Sequence, residues 1–256
     1  MDESFEIEAR GVAEGINPMF GEWSQKFNLE PVSYSNPGPA RAVFRQAIRD
    51  QLKNKFVFVG EVRLTVTLYL DEQKMLETPA YGDLDNYAKQ LLDSIKGHGG
   101  LFIDDCQVQR LDISWVDVPY GAHFEIEIRS GPDDFLPEPL KLYEMPDGLY
   151  YPISAQVWTQ SGLIEAQDDS IHAMAEALAA MTTAKKALRH KLRQDGAPQF
   201  RAFQFGKYVS PILMGFHRSR VVDSGYELVS RATWENSLGH NPAVQGTLRD
   251  KAAQRP

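Results

Sequence analysis

The residues best suited to do chemistry lie between positions 83 and 108. They read Asp83-Leu84-Asp85-Asn86, then Lys89 and Asp93, then Asp104-Asp105-Cys106-Gln107-Val108. Carboxylates this dense, with a lysine among them, suit a hard divalent cation. Mg²⁺ prefers oxygen ligands and takes only one or two carboxylates beside phosphate and water. A metal held this way polarises a phosphoryl oxygen and lowers the pKa of a bound water. That is the chemistry of phosphodiester hydrolysis. Asp83 and Asp85 enter a predicted helix, and residues two apart on an extended approach project to one side. The positive end of the helix dipole favours anions there. Lys89 follows Asp85 by four residues on the same helical face, with Asp93 one turn further. Asp104 and Asp105 open the next strand, expected to return beside the start of the helix. The spacing predicts Asp83, Asp85 and Asp105 converging on one cation. Lys89 stands at its edge as a compact charge for a phosphate. Asn86 is expected to steady a carboxylate by a hydrogen bond.

These residues need a scaffold, and the apolar pattern predicts one. Phe5 and Ile7 alternate with glutamates, as in a strand. Residues 15–39 are rich in Gly, Pro, Asn and Ser and read as a long loop. From Ala40, the residues Val43, Phe44, Ala47, Ile48 and Leu52 form a helical stripe. Arg41, Arg45, Arg49 and Lys53 recur every four residues on another face. Val62, Leu64, Val66, Leu68 and Leu70 alternate with polar residues and predict a strand. Residues 71–82 read as a polar loop. The helix entered at Asp85 carries Ala88, Leu91, Leu92 and Ile95 as its core stripe, and Gly97, Gly99 and Gly100 end it. Leu111, Ile113 and Trp115 mark the next strand, and Phe124, Ile126 and Ile128 another. The order β-α-β-α-β-β predicts an α+β fold with helices on one face of a small sheet.

The segment from Gly131 to Pro139 reads as a linker. The expected domains are 1–132 and 136–256, the second an additional α+β region. Ile171, Met174, Leu178, Met181, Lys185, Leu188 and Leu192 predict a helix with heptad-like spacing and a basic end. Two or three strands are expected between Phe200 and Trp234, and a frayed tail after Gly239.

Bulk properties narrow the class. A chain of 256 residues suits one large domain or two small ones. Its single cysteine, Cys106, excludes an intrachain disulfide and zinc-cysteine clusters. The acidic start lacks the features of a signal peptide, and no apolar run reaches the ~20 residues of a membrane span. A cytoplasmic location and no membrane partner are therefore expected. Residues 1–130 hold 13 Lys and Arg against 21 Asp and Glu and carry the whole −8 net charge, while residues 131–256 balance at 14 each. The acid is concentrated where the aspartate clusters lie. A metal would neutralise part of it.

Either aspartate cluster alone is what a helix cap or a turn looks like. The whole pattern is more specific. Asp83-Leu84-Asp85-Asn86-x-x-Lys89-x-x-x-Asp93, a short spacer, and Asp104-Asp105-x-Gln107-Val108 resemble the signature of the RusA family of Holliday junction resolvases. The resemblance covers about residues 4–130. It implies a RusA-like mixed sheet and a Mg²⁺-dependent endonuclease, with Mn²⁺ as a substitute. It further implies a homodimer acting on branched DNA in recombination and repair. By position, Asp83, Asp85 and Asp105 match the family's catalytic acids, Lys89 its essential lysine, and Asp104 a neighbouring acid of lesser weight. The acidic balance keeps two other readings open. One is a non-cleaving RusA-fold module that binds DNA or protein. The other is a metal-dependent phosphohydrolase on another substrate.

Three further features admit two readings each. The Arg41, Arg45, Arg49 and Lys53 stripe could contact DNA phosphates or simply be solvated. The 171–193 helix could serve a dimer interface or DNA, or be core. Phe203, Phe205, Tyr208 and Phe216, near Lys207, Arg218 and Arg220, could stack unpaired bases or be core aromatics.

Overall fold

The computed structural model describes residues 21–52, 56–77, 83–131, 134–159, 162–208 and 214–238. The expected strand at Phe5 and Ile7, Lys53 of the basic stripe, and the tail after Gly239 lie outside the described residues. The chain divides into two compact units. One is Met1–Glu138 with Asp223–Gly225, the other Pro139–Val222 with Tyr226–Pro256.

The first unit is built on a mixed sheet of β1 (Glu22–Phe27), β3 (Val62–Asp71), β4 (Val108–Val118) and β5 (His123–Ser130), in the order β1-β5-β3-β4. β5 runs antiparallel to both β1 and β3, while β3 and β4 are parallel. A parallel pair needs a crossover, and a helix supplies it here. Alternation in β3 is the clearest case of sequence dictating structure. Val62, Leu64, Val66, Leu68 and Leu70 are all buried, and the residues between them are exposed or half-buried. Their face packs against α1 (Gly38–Gln51) through Phe44 and Ile48, and against α3 (Leu84–Ile95) through Tyr87, Leu91 and Ile95. The α+β architecture is as the sequence predicts.

Four local expectations are corrected. The stretch read as loop over 15–39 contains β1, whose strand period rests on only two anchors, buried Trp23 and Phe27. The stretch read as loop over 71–82 contains α2 (Glu72–Glu77), six residues with none buried, so no apolar stripe announced it. Asp71 starts it by accepting the Lys74 N–H at 3.1 Å. The stretch read as linker contains β6 (Phe135–Pro137), which pairs with β2 (Phe56–Phe58) and places Phe135 in the core of the unit. Among the described residues between Phe200 and Trp234 the chain is mostly helical: α5 (Gln199–Tyr208), α6 (Arg218–Val221) and α7 (Arg231–Leu238), with one two-residue strand, β11 (Leu228–Val229).

In the second unit, β7 (Leu140–Glu144) pairs with β8 (Tyr150–Ser154) and β11, while β9 (Gln156–Thr159) pairs with β10 (Gly162–Glu165). The long helix α4 (Asp168–Gln194) buries Ala175, Leu178 and Thr182. That is a 3–4 spacing toward Tyr143, Tyr151 and Trp234, not a full heptad seam. Met174 and Met181 of the expected stripe stay more than a third exposed, at 38% and 39%.

Candidate active site

Helix α3 presents two faces. Its buried face carries Tyr87, Ala88, Gln90, Leu91, Ser94 and Ile95. Gln90 and Ser94 are polar: the Gln90 side-chain amide donates to Ser94 Oγ at 3.2 Å and that hydroxyl donates to the Gln90 carbonyl at 2.7 Å, while the buried Gln90 Oε1 has no hydrogen-bond partner among the described residues. The other face carries Asp85, Lys89 and Asp93 at four-residue spacing. Asp83 is the N-cap residue, with extended φ −67° and ψ 158°. Its side chain makes no capping hydrogen bond, so the ordinary reading of this aspartate as a cap does not account for its carboxylate. Asp83 and Asp85 are both exposed. Asn86 is held by its backbone, whose carbonyl accepts the Tyr34 N–H at 3.0 Å.

That last contact brings in Tyr34, which sequence reasoning missed. The Lys89 ammonium lies 3.8 Å from the centre of the Tyr34 ring, and the Arg41 guanidinium carbon 4.3 Å from it. Such cation–π contacts contribute about 0.5–1 kcal/mol at exposed sites. Hydrogen bonding to Arg41, and then the charge of Lys89, lower the Tyr34 phenol below the usual tyrosine value of 10.0. Two cations from two helices therefore meet over one ring beside the start of α3.

The second acidic cluster is held at the other end of the helix. Asp104 and Gln107 form a capping box around a 3₁₀ turn, Asp105–Gln107. Asp104 is 5% exposed, and its carboxylate accepts the Cys106 N–H at 3.1 Å. Gln107 is fully buried. Its amide oxygen accepts from Ile103 N at 2.7 Å and Asp104 N at 3.1 Å, and its amide nitrogen donates to the carbonyls of Phe58 and Gly60, both at 2.9 Å. One side chain thus ties the Asp104–Asp105 turn to the segment between β2 and β3. Asp105 itself points elsewhere. Lys96 Nζ lies 3.0 Å from Asp105 Oδ2 and 2.8 Å from Asp93 Oδ1. Burial works to lower the Lys96 pKa, but the bonds to Asp93 and Asp105 prevail and leave it above the ordinary lysine value.

Asp105 therefore meets the last turn of α3. Asp85 lies two turns before Asp93, roughly 12 Å of helix rise. Among the described residues, no group of three or more His, Cys, Asp or Glu side chains could hold a metal ion. The expected convergence of Asp83, Asp85 and Asp105 is not preformed. The donor chemistry still fits a hard divalent cation, because every acid here offers oxygen. The Lys96 ammonium also shows two of these carboxylates reaching around one positive charge.

The basic stripe on α1 is divided. Arg45 is exposed, Arg41 is engaged with Tyr34, and Arg49 donates to the carbonyls of His98 at 2.9 Å and Lys96 at 3.0 Å. Arg49 thus anchors the turn after α3. In the second unit, Phe203 and Phe205 are each 50% exposed, while Phe216 is buried.

Residues 34–129 match the family model of the endodeoxyribonuclease RusA. That segment, 96 of the 256 residues, is similar to the RusA family. It runs from Tyr34 to Arg129, and so includes α1, α3, both aspartate clusters and nearly all of β5. No curated protein matches the chain. Among the described residues, no helix is long and apolar enough to cross a membrane.

Proposed function

We propose that this protein is a divalent-metal-dependent endonuclease that cuts branched DNA, four-way junctions above all, in recombination and repair. The observation that carries this reading is the complete acid–lysine constellation within the RusA-family segment, on a helix whose opposite face is core. The first unit would form the catalytic domain and the second an accessory region. Asp83, Asp85 and Asp105 are the proposed ligands of Mg²⁺ or Mn²⁺, with Asn86 and Asp104 supporting them. When bound, the metal supplies charge neutralisation at the phosphate and an acidified water. The protein's own part is to orient. Lys89, held by Tyr34, places a cation for the scissile phosphate. Gln107 fixes the backbone that carries Asp105. Arg41, Arg45, Arg49 and Lys53 are proposed phosphate contacts, although Arg41 and Arg49 also have structural partners.

A homodimer is part of the same proposal. β4 is an edge strand whose Leu111, Trp115 and Val116 stay exposed at 37%, 42% and 45%. Leu111, Ile113 and Trp115 pair in register with buried Leu64, Val66 and Leu68 of β3. They lie on the helix-covered side of the sheet, where Ile113 packs against the core but Leu111 and Trp115 stay more than a third exposed. An uncovered apolar edge favours a partner strand.

The test is incubation with a synthetic four-way junction and Mg²⁺. Wild type should nick it, and Asp83→Asn and Asp85→Asn should each lose at least about a hundredfold in rate. Absence of cleavage by wild type, or equal cleavage by the variants, refutes the reading. The net charge of −8 favours one rival, a non-cleaving junction-binding module. Tight binding with no turnover in either metal would select it.

A further inference from the structure

We infer that the basic end of α4 and the phenylalanines of α5 form a second DNA-binding surface, one that takes an unpaired strand. The surface lies outside residues 34–129, which match the RusA model, and the inference does not rest on the metal reading. Residues 177–205 hold six Lys and Arg against one Asp, in a chain whose net charge is −8. A local basic patch draws anions whatever the charge of the whole molecule. The turn between the helices sets the geometry. α4 is capped at Asp195, and Gly196 follows at φ 75°, where glycine is favoured. The Ala197 N–H donates back to the Leu192 carbonyl at 2.9 Å. The chain reverses within these few residues, and Ala202 of α5 is buried.

Cations and rings meet along this reversal. The Arg189 guanidinium carbon lies 5.5 Å from the centre of the Phe203 ring. Its Nε is buried with no hydrogen-bond partner among the described residues, so packing sets its place. Lys185 stands one turn earlier on the same face of α4. Burial, and then the charge of Arg189, pull the Lys185 pKa below the ordinary lysine value, and the charge of Asp147 does not restore it. Two cations held this close are stabilised by an added phosphate. Lys186 and Arg193 are fully exposed beside them. On α5, Phe200, Phe203 and Phe205 stay exposed at 67%, 50% and 50%. They do not form one stripe: Phe203 and Phe205 lie about 160° apart around the helix, with polar Gln204 between them. A lipid surface takes one continuous apolar face. Separate rings among cations suit bases instead, because each base can stack on its own ring. Paired bases already stack on each other, so the fitting partner is a single strand.

The test titrates full-length protein, in EDTA, into labelled oligo-dT of about 20 nucleotides and reads fluorescence anisotropy. Phe203→Ala should bind about tenfold more weakly, the order of one lost base–ring stack, with its salt dependence unchanged. Phe203→Trp, which keeps a ring, should bind like wild type. Lys186→Gln should bind more weakly, with a salt slope shallower by about 0.7. A duplex of the same length should bind the aromatic variants and wild type alike. Phe200→Ala serves as a second aromatic variant should Phe203→Ala fail to fold, with melting as the check. Unchanged oligo-dT affinity in the folded alanine variants, equal losses for duplex and single strand, or no oligo-dT binding by wild type overturns the inference. Loss of binding to phosphatidylserine vesicles with oligo-dT binding intact gives the surface to a lipid and overturns it too. Metal is absent throughout, so junction cleavage stands or falls separately.

Discussion

Replacing Gln107 with leucine removes one side chain of similar size and four hydrogen bonds. The bonds run to Ile103 N, Asp104 N, Phe58 O and Gly60 O, at 2.7, 3.1, 2.9 and 2.9 Å. Gln107 is 0% exposed, so the backbone groups left behind have little access to water. Leaving a buried donor or acceptor unpaired costs about 1–3 kcal/mol each. Taking the low end for all four, because neighbours relax and the losses are not additive, gives about 4 kcal/mol. That is a large part of the roughly 5–15 kcal/mol of a typical domain. With a urea slope of about 2 kcal/mol per molar, the unfolding midpoint should fall by roughly 2 M. Hydrogen exchange gives the local readout: the Ile103 and Asp104 amides should lose protection first. Junction cleavage should fall as well, because the same bonds hold the backbone next to Asp105. A leucine variant that loses less than about 1 kcal/mol and keeps those amides protected would refute the claim that Gln107 pins this turn.

Two further outcomes test the site and its assembly. Tyr34→Ala should lower the junction-cleavage rate about tenfold with little change in junction affinity, while Tyr34→Phe should lose less, because it keeps the ring beneath Lys89 and removes only the phenol's hydrogen bonds. The Tyr34 phenol should titrate below 10.0, and Lys89→Met should move it upward. Equal rates for the Ala and wild-type proteins would remove Tyr34 from the site. Trp115→Glu puts a charge on the uncovered β4 edge and should turn a dimer into a monomer by light scattering. A monomeric wild type at micromolar concentration would refute the dimer instead.

Much of the scaffold was legible because its signals are local. The period-two run from Val62 to Leu70 reads as a strand and is one. Asp83 entering α3, the stripe through Ala88, Leu91 and Ile95, and the glycine at 97 bound that helix within a residue or so. The elements that sequence reading missed have weak local signals. β1 has two apolar anchors, α2 has no buried residue, and β2 and β6 are three-residue strands that pair with each other across a long sequence separation. Phe203 and Phe205 alternate like strand residues, yet they lie on a helix and stay half exposed.

The sequence by itself determined the chemistry: oxygen-rich acids, a lysine at helical spacing, and a motif specific enough to resemble one family. These follow from residue types and from the 3.6 and 2.0 residue periods, which need no knowledge of the rest of the chain. Only the tertiary structure decided who stands next to whom. It set the Lys89 ammonium over the Tyr34 ring. It gave Asp105 to Lys96 and Asp93, and it made Gln107 a buried tie to a strand that ends 49 residues earlier. The physical reason is that a helix face fixes spacing along its axis. Which end of that face a distant carboxylate meets is set by the path of the returning chain.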